Sequence, residues 1–288
     1  MKNNCIITSA SDKFFPSLLN FLGSIEANYP NHPDVYIYDL GLFYTFRKEL
    51  ENIPWVHIVR VPHFVSHWRS CYTWKTYILN TPLAENNLYI DAGCQVLKNL
   101  DPLFEKINAQ SYMAVSQGPA VKIQDVTPKE YLELYGLDEQ DADKEVITAG
   151  IFGFRKDSAI KKVTEELYKA GVGGLCLGFS QGELWKNKGV NKTTYIRDCK
   201  MFRHDTTLLT IILKKEIPDA VIEPVEFFSS NKETSGNQYV WNFRLNYKNL
   251  EFIKSTILHK KPNLYVPLNR IHVRLFIIIK TLANKLKK

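Results

Sequence analysis

The chain has 288 residues, 45% hydrophobic and 23% charged, which suits one large globular domain, or one domain with an appendage, with a sizeable core. The formal net charge of +7 suits anionic partners such as a nucleotide diphosphate, nucleic acid or an acidic membrane surface. Five scattered cysteines (Cys5, Cys71, Cys94, Cys176, Cys199) with no Cys-x-x-Cys pair exclude a zinc ribbon and a disulfide framework and point to a reducing compartment; the N-terminal apolar run is too short for a signal-peptide core, and no run of about 18 apolar residues predicts a membrane span.

Residues 4–10 (NCIITSA) read as a first strand that ends in small polar residues. Ser11-Asp12 are suited to cap a following helix, on which Phe14, Phe15, Leu18, Leu19, Leu22 and Ile25 recur at helical spacing. Residues 34–40 (DVYIYDL) and 55–61 read as the second and third strands, closed by Gly41 and Pro62. Strand, helix, strand, strand at these intervals predicts βαβ units and a mostly parallel sheet. Residues 63–79 hold Trp68, Tyr72 and Trp74 with Arg69 and Lys75, and Tyr72-Thr73-Trp74-Lys75 leads into a helix. His63 and His67 stand four apart, but Pro62 and the missing carboxylate favour packing or surface roles over metal ligation.

The informative stretch is 88–97 (LYIDAGCQVL). A short apolar run reads as a strand buried on both faces, and it ends on Asp91. Open α/β sheets bind ligands at the carboxyl ends of such strands. Gly93 permits a sharp turn or a close approach to a ligand, and the same residues serve equally as an Asp-Ala-Gly turn between two strands.

Residues 105–146 are polar, with a short helix over 129–136 and an acidic loop over 138–143 (DEQDAD) whose spacing does not fit a calcium loop. Residues 146–155 (VITAGIFGFR) read as a loop and a strand in which Gly150 and Gly153 permit close backbone approach. A surface helix over 156–170 turns Ile160, Val163 and Leu167 inward. Residues 171–191 are glycine-rich and read as a lid-like loop, not a phosphate cradle. Asp205 precedes an apolar helix (TTLLTIIL), and as a helix cap it would serve a common structural purpose. Residues 220–228 read as a further strand, and 237–247 (NQYVWNFRLNY) as an aromatic, polar strand or sugar-contacting surface. Residues 264–288 contain no acidic residue and alternate basic with apolar side chains, which predicts a basic amphipathic helix on an anionic membrane surface. No nucleic-acid recognition motif accompanies the charge, so nucleic acid is not an expected partner.

Residues 88–104 (LYIDAGCQVLKNLDPLF) resemble the aspartate-motif segment of GT-A fold, nucleotide-sugar-dependent glycosyltransferases, most closely glycosyltransferase family 8 and related sugar-transferase-like families. There an apolar strand runs into Asp-x-Asp, and the segment ends on Leu-x-Pro-Leu-Phe. Asp91 and Asp101-Pro102-Leu103-Phe104 match, whereas Gly93 stands at the second acidic position. Thr8-Ser9-Ala10 and Asp39 resemble the base-binding start and a phrase of the same families. Residues 146–155 resemble the Asn-x-Gly strand that supports the bound sugar, with Thr148 in place of Asn and Gly150 matching. Asp205 matches an Asp-Gln helix start, with Thr206 in place of Gln. His259 and Lys261-Pro262 resemble a shortened C-terminal His-x-x-Gly-x-x-Lys-Pro motif.

The resemblance implies an α/β protein of GT-A fold, Rossmann-like, with a mixed, mostly parallel sheet flanked by helices over 1–262 and the basic amphipathic tail over 263–288. It implies a hexosyltransferase-like enzyme that moves a sugar from a nucleotide-diphosphate donor, of the UDP-sugar type, to a cell-surface glycan or lipid-linked acceptor of the lipopolysaccharide or capsule type, with retention. Thr8, Ser9, Ala10, Asp39, Lys75, Asp91, Ala92, Gly93, Thr148, Gly150, His259 and Lys261 are the implied donor-binding residues, and Asp91 and Asp205 the implied catalytic ones. Asp91 and His259 are the implied ligands of a divalent metal, manganese or magnesium; Gly93 at the second acidic position predicts that the ion is weakly held or absent and that basic residues stabilise the leaving diphosphate instead. The expected location is cytoplasmic, on the inner face of the membrane. The alternative is a non-catalytic or hydrolytic nucleotide-sugar-binding protein with a degenerate metal motif, favoured by Gly93 and Thr206.

Overall fold

The computed structural model describes residues 3–156, 158–178, 198–231 and 236–242. In chain order the elements are β1 (Asn4–Ala10), α1 (Phe15–Asn28), β2 (Val35–Asp39), α2 (Tyr44–Glu51), β3 (Val56–Arg60), α3 (Thr73–Leu79), β4 (Asn86–Ile90), β5 (Gln95–Val96) and α4 (Asp101–Gln110). There follow β6 (Tyr112–Ser116), α5 (Ile123–Val126), α6 (Lys129–Tyr135), α7 (Glu139–Ala142), β7 (Ile147–Arg155), α8 (Ile160–Val172), α9 (Asp205–Glu216), β8 (Phe228–Ser229) and β9 (Val240–Trp241).

Six strands form a mixed sheet in the order β3-β2-β1-β4-β7-β6. β2 and β3 pair in parallel, and β7 runs antiparallel to both β4 and β6. All five residues of β4 and of β6 are buried, as expected of strands covered on both faces. The chain divides into two compact units: Met1–Ile6, Val61–Ile90 and Asp101–Ser229 form the first, and Ile7–Arg60, Asp91–Leu100 and Ser230–Lys288 the second, each taken for its described residues.

In the first unit α4 packs closely on β7 because Gly153 has no side chain. A Cβ there would lie 2.4 Å from Ile107 Cγ1. The approach that Gly150 permits is likewise made from within the protein, by the Phe228 ring, whose Cζ would lie 2.7 Å from a Cβ. Ile160, Val163 and Leu167 on α8 are buried as their spacing predicts, and α9 buries every residue from Asp205 to Leu213. His67 is a packing residue: its Nε2 lies 2.9 Å from the Gly171 carbonyl oxygen, and burial holds its pKa down.

Several local expectations are corrected. The acidic stretch 138–143 is not a loop but contains α7, because the Asp138 carboxylate accepts the Asp141 N–H and so caps the helix. Residues 220–228 do not form a long strand. Pro224 has no N–H to donate, Val221 donates its N–H to the Tyr112 hydroxyl, and only Glu223 bridges to Val115 before a 3-10 turn at Val225–Phe227 and the short β8. Asp205 is the first helical residue of α9, not its cap, which is His204.

In the second unit a 3-10 turn at Asp12–Phe14 precedes α1, and no side chain caps either. Asp12 instead accepts the Phe43 N–H at 2.5 Å. The apolar run after Asp91 yields only β5, which pairs antiparallel with β9 outside the large sheet. The basic tail over 263–288, the end of the 171–191 loop and residues 243–247 lie outside the described residues.

Candidate functional site

In the first unit the implied residues Lys75, Thr148, Gly150 and Asp205 converge. Lys75 lies in the first turn of α3 and is 2% exposed; Asp205 opens α9 and is 6% exposed. Lys75 Nζ stands 2.7 Å from Asp205 Oδ2 and donates to the Ala149 carbonyl oxygen at 3.0 Å. Three rings surround the ammonium, with centroids at 5.1 Å (Tyr89), 5.4 Å (Tyr72) and 5.6 Å (Trp74). Aromatic faces attract a cation at this range and offset part of its desolvation. Lys75 is therefore not the solvated side chain that its place beside Trp74 allows; it is a buried cation.

β7 supplies the other wall. The Ala149 N–H donates to Thr206 Oγ1 at 3.4 Å, and the Gly150 N–H donates to Thr148 Oγ1 at 3.1 Å. Thr206, at the position where Gln is common in the resembled family, thus ties the start of α9 to the Thr148–Gly150 backbone. Beneath lies Cys176, fully buried, whose thiol is pushed well above its ordinary pKa first by burial and then by the Asp205 charge.

The backbone around this pair is strained. Among the described residues four non-glycine positions have positive φ, and Cys71 (49°), Tyr72 (60°) and His204 (48°) are three of them. Side chains rarely adopt this region, and such outliers gather at functional sites. The His204 ring is held by its Nδ1, 2.8 Å from the Cys176 carbonyl oxygen, and lies 6.0 Å from the Tyr72 ring.

The second unit holds the other implied residues. Thr8, Ser9 and Ala10 end β1 and are all buried, and Thr8 Oγ1 has no hydrogen-bond partner among the described residues. Asp39 ends β2; its Oδ1 accepts the N–H groups of Gly41 (2.8 Å) and Leu42 (2.7 Å), and Arg47 Nε stands 3.5 Å from its Oδ2. Asp12, between them in sequence, has its pKa raised to about 6, chiefly by burial. Asp91, Ala92 and Gly93 form the turn after β4, closed by the Cys94 N–H on the Asp91 carbonyl at 3.1 Å. The turn that Gly93 permits does not require glycine, since a Cβ there would meet nothing within 4 Å.

Among the described residues no group of three or more His, Cys, Asp or Glu side chains is placed to hold a metal ion. Of the residues implied for the ion, Asp91 supplies one carboxylate and Gly93 none. His259 and Lys261 lie outside the described residues.

Sequence reasoning singled out Lys75 and Asp205 but not their pairing. It passed over Tyr89 as part of an apolar run, although the polar tip of a tyrosine in such a run was a signal. Nothing in the sequence pointed to Cys176.

No family model and no curated protein sequence matches the chain. Solved structures do. The chain resembles the WbbM bifunctional glycosyltransferase in its apo form with a TM-score of 0.56 at 14% identity, over 93% of this chain and 52% of that one. It resembles the galactosyltransferase LgtC, in complex with donor and acceptor sugar analogues, with a TM-score of 0.51 at 16% identity, over 82% of this chain and 86% of that one. The chain spans about half the length of WbbM. The fold is a GT-A-like glycosyltransferase fold, as the residues around Asp91 led us to expect.

Proposed function

We propose that this protein is a glycosyltransferase that moves a sugar from a nucleotide-diphosphate donor, of the UDP-sugar type, to a cell-surface glycan or lipid-linked acceptor of the lipopolysaccharide or capsule type, with retention at the anomeric carbon. The observation that carries the reading is the buried Lys75–Asp205 pair against Thr148–Gly150, on a fold shared with WbbM and LgtC. LgtC is a galactosyltransferase whose structure contains donor and acceptor sugar analogues, which supports a sugar donor and a sugar acceptor here.

In the reaction the bond between the anomeric carbon and the diphosphate oxygen breaks, and its electron pair leaves with the diphosphate. The acceptor hydroxyl oxygen bonds to the anomeric carbon, and its proton passes to the departing diphosphate. Asp205 stabilises the positive charge that develops on the sugar ring. Lys75 acts through Asp205, holding its carboxylate in place. Thr8, Ser9, Ala10 and Asp39 hold the nucleotide, and Lys261 neutralises the leaving group. Donor binding does not depend on manganese or magnesium, because Gly93 removes a ligand. The basic tail holds the protein on the cytoplasmic face of the membrane; no helix among the described residues is long and apolar enough to cross one.

A thermal-shift screen against UDP-, GDP-, CMP- and dTDP-sugars, with and without manganese, tests this. Binding at a hundredfold excess over Kd stabilises by about 2.7 kcal/mol. A shift with UDP-sugars alone, unchanged by manganese, is the expected result, and no shift with any donor would sink the reading. The second reading, nucleotide-sugar binding without transfer, is favoured by Gly93 and Thr206. Binding without release of UDP on any acceptor would establish it.

A further inference from the structure

The first unit contains a cleft of about 620 Å³ that the mechanism above does not use, at the edge of the sheet where β6 ends and β7 begins. Its volume is within the usual range for small-ligand sites, about 300–1,000 Å³. Ile147 and Thr210 form part of its wall, and Thr210 Oγ1 accepts the Ile147 N–H at 3.3 Å. These two residues join the cleft to the Lys75–Asp205 pair. Ile147 precedes Ala149 by two strand residues, about 7 Å along β7. Thr210 follows Thr206 by one helical turn, about 6 Å along α9. The offset is comparable to the length of one sugar ring.

The lining decides what fits. Pro119, Ile222 and Val225 offer apolar surface, whereas Glu145, Asp219 and Glu226 bring carboxylates. Two further charges in the wall are compensated: Glu223 lies 2.9 Å from Lys106, and Lys214 lies 3.2 Å from Asp141. Of the remaining carboxylates, Glu145 already accepts a hydrogen bond from the Ser116 hydroxyl, and Lys144 stands against them. An acidic cleft in a chain of net charge +7 repels a diphosphate. Carboxylates accept hydrogen bonds from hydroxyl groups, and charge-assisted bonds of this kind are the stronger ones. Prolines and aliphatic side chains accept the C–H face of a sugar.

We infer that this cleft holds an uncharged sugar unit of the acceptor, next to the unit whose hydroxyl reacts. The inference rests on the glycosyltransferase reading, and it assigns the acceptor's non-reacting sugar to Glu145, Asp219 and Glu226.

The test is saturation-transfer NMR on the full chain with the methyl glycosides of glucose, galactose and N-acetylglucosamine, with UDP as a separate ligand. Glu226→Gln removes one charge from the rim, and Ala220→Trp fills the cleft. At least one glycoside is expected to receive saturation from the wild type, to bind about tenfold more weakly to Glu226→Gln, and to lose its signal in Ala220→Trp while UDP still binds. No signal from any glycoside, or a signal that survives both substitutions, overturns the inference. Glycoside binding without UDP binding supports the cleft and sinks the donor reading, so the two failures are distinct.

Discussion

Lys75 Nζ and Asp205 Oδ2 form a 2.7 Å ion pair between two helices, α3 and α9, with both side chains buried. A buried pair of this kind is costly to break, because each charge left alone has lost its water without gaining a partner. Lys75→Met and Asp205→Asn are each expected to destabilise the protein by about 3–5 kcal/mol in urea unfolding. The double variant Lys75→Met/Asp205→Leu removes both charges and is expected to be more stable than either single variant. It is expected to have no transferase activity. A double variant no more stable than the singles would show that the charges are not coupled.

Gly93 has an ordinary backbone conformation and open space where a side chain would stand. Gly93→Asp is therefore expected to fold with a stability change within about 0.5 kcal/mol, as for a surface substitution. It places a second carboxylate two residues from Asp91, and manganese affinity measured by calorimetry is expected to rise at least tenfold, about 1.4 kcal/mol. Unchanged manganese binding would mean that Asp91 does not face the ion.

Gly150 shows the opposite constraint. A Cβ would lie 2.7 Å from Phe228 Cζ and 3.3 Å from Thr148 Oγ1. Gly150→Ala is expected to cost about 1–3 kcal/mol by overpacking. Phe228→Leu shortens the clashing side chain, so the two substitutions together should cost less than the sum of their separate effects. Additive costs in a double-mutant cycle would rule out this contact as the cause.

Asp12 gives a pH signature. Its folded pKa of about 6 lies above the ordinary value of 3.8, because burial, aided by the nearby Asp39, disfavours the charged form more than the Phe43 amide and Arg47 favour it. Between pH 3.8 and 6 the folded protein binds more protons at Asp12 than the unfolded chain does, so this group's contribution to stability is present at low pH and is lost as pH rises through about 6. Asp12→Asn keeps an acceptor for the Phe43 N–H without the charge. It is expected to gain stability over wild type on the order of 1 kcal/mol at pH 8, after solvent screening, and nothing at pH 3.5. Melting curves at both pH values measure this, and an equal gain at both would exclude the titration.

Much of the architecture is legible in the chain. The short apolar segments within β2 (Val35 to Tyr38) and β4 (Leu88 to Ile90), the helical spacing of Ile160, Val163 and Leu167, and Gly136 at the end of α6 are local signals, and the structure agrees with them. Short-range energetics dominate there: burial of alternating or periodic apolar faces, and a left-handed residue where glycine is cheap. Where the sequence misled, a single hydrogen bond made or missing was the reason. Asp138 turned an acidic loop into α7, and Pro224 interrupted an apolar run that otherwise reads as a strand.

The candidate site divides in the same way. Its residue types were visible one by one, as Lys75 beside aromatic rings and Asp205 before an apolar helix, because their chemistry is local. Their partnership was not. Lys75 and Asp205 are separated by 130 positions, and only the packing of α3, β7 and α9 brings them to 2.7 Å. The same packing removes them from water, and that makes their pairing obligatory. The sequence by itself determined which groups carry charge and which segments fold. The tertiary structure decided which charges meet, which glycines are required by contact, as at Gly150, and which are not, as at Gly93, because those outcomes depend on distances that local patterns do not encode.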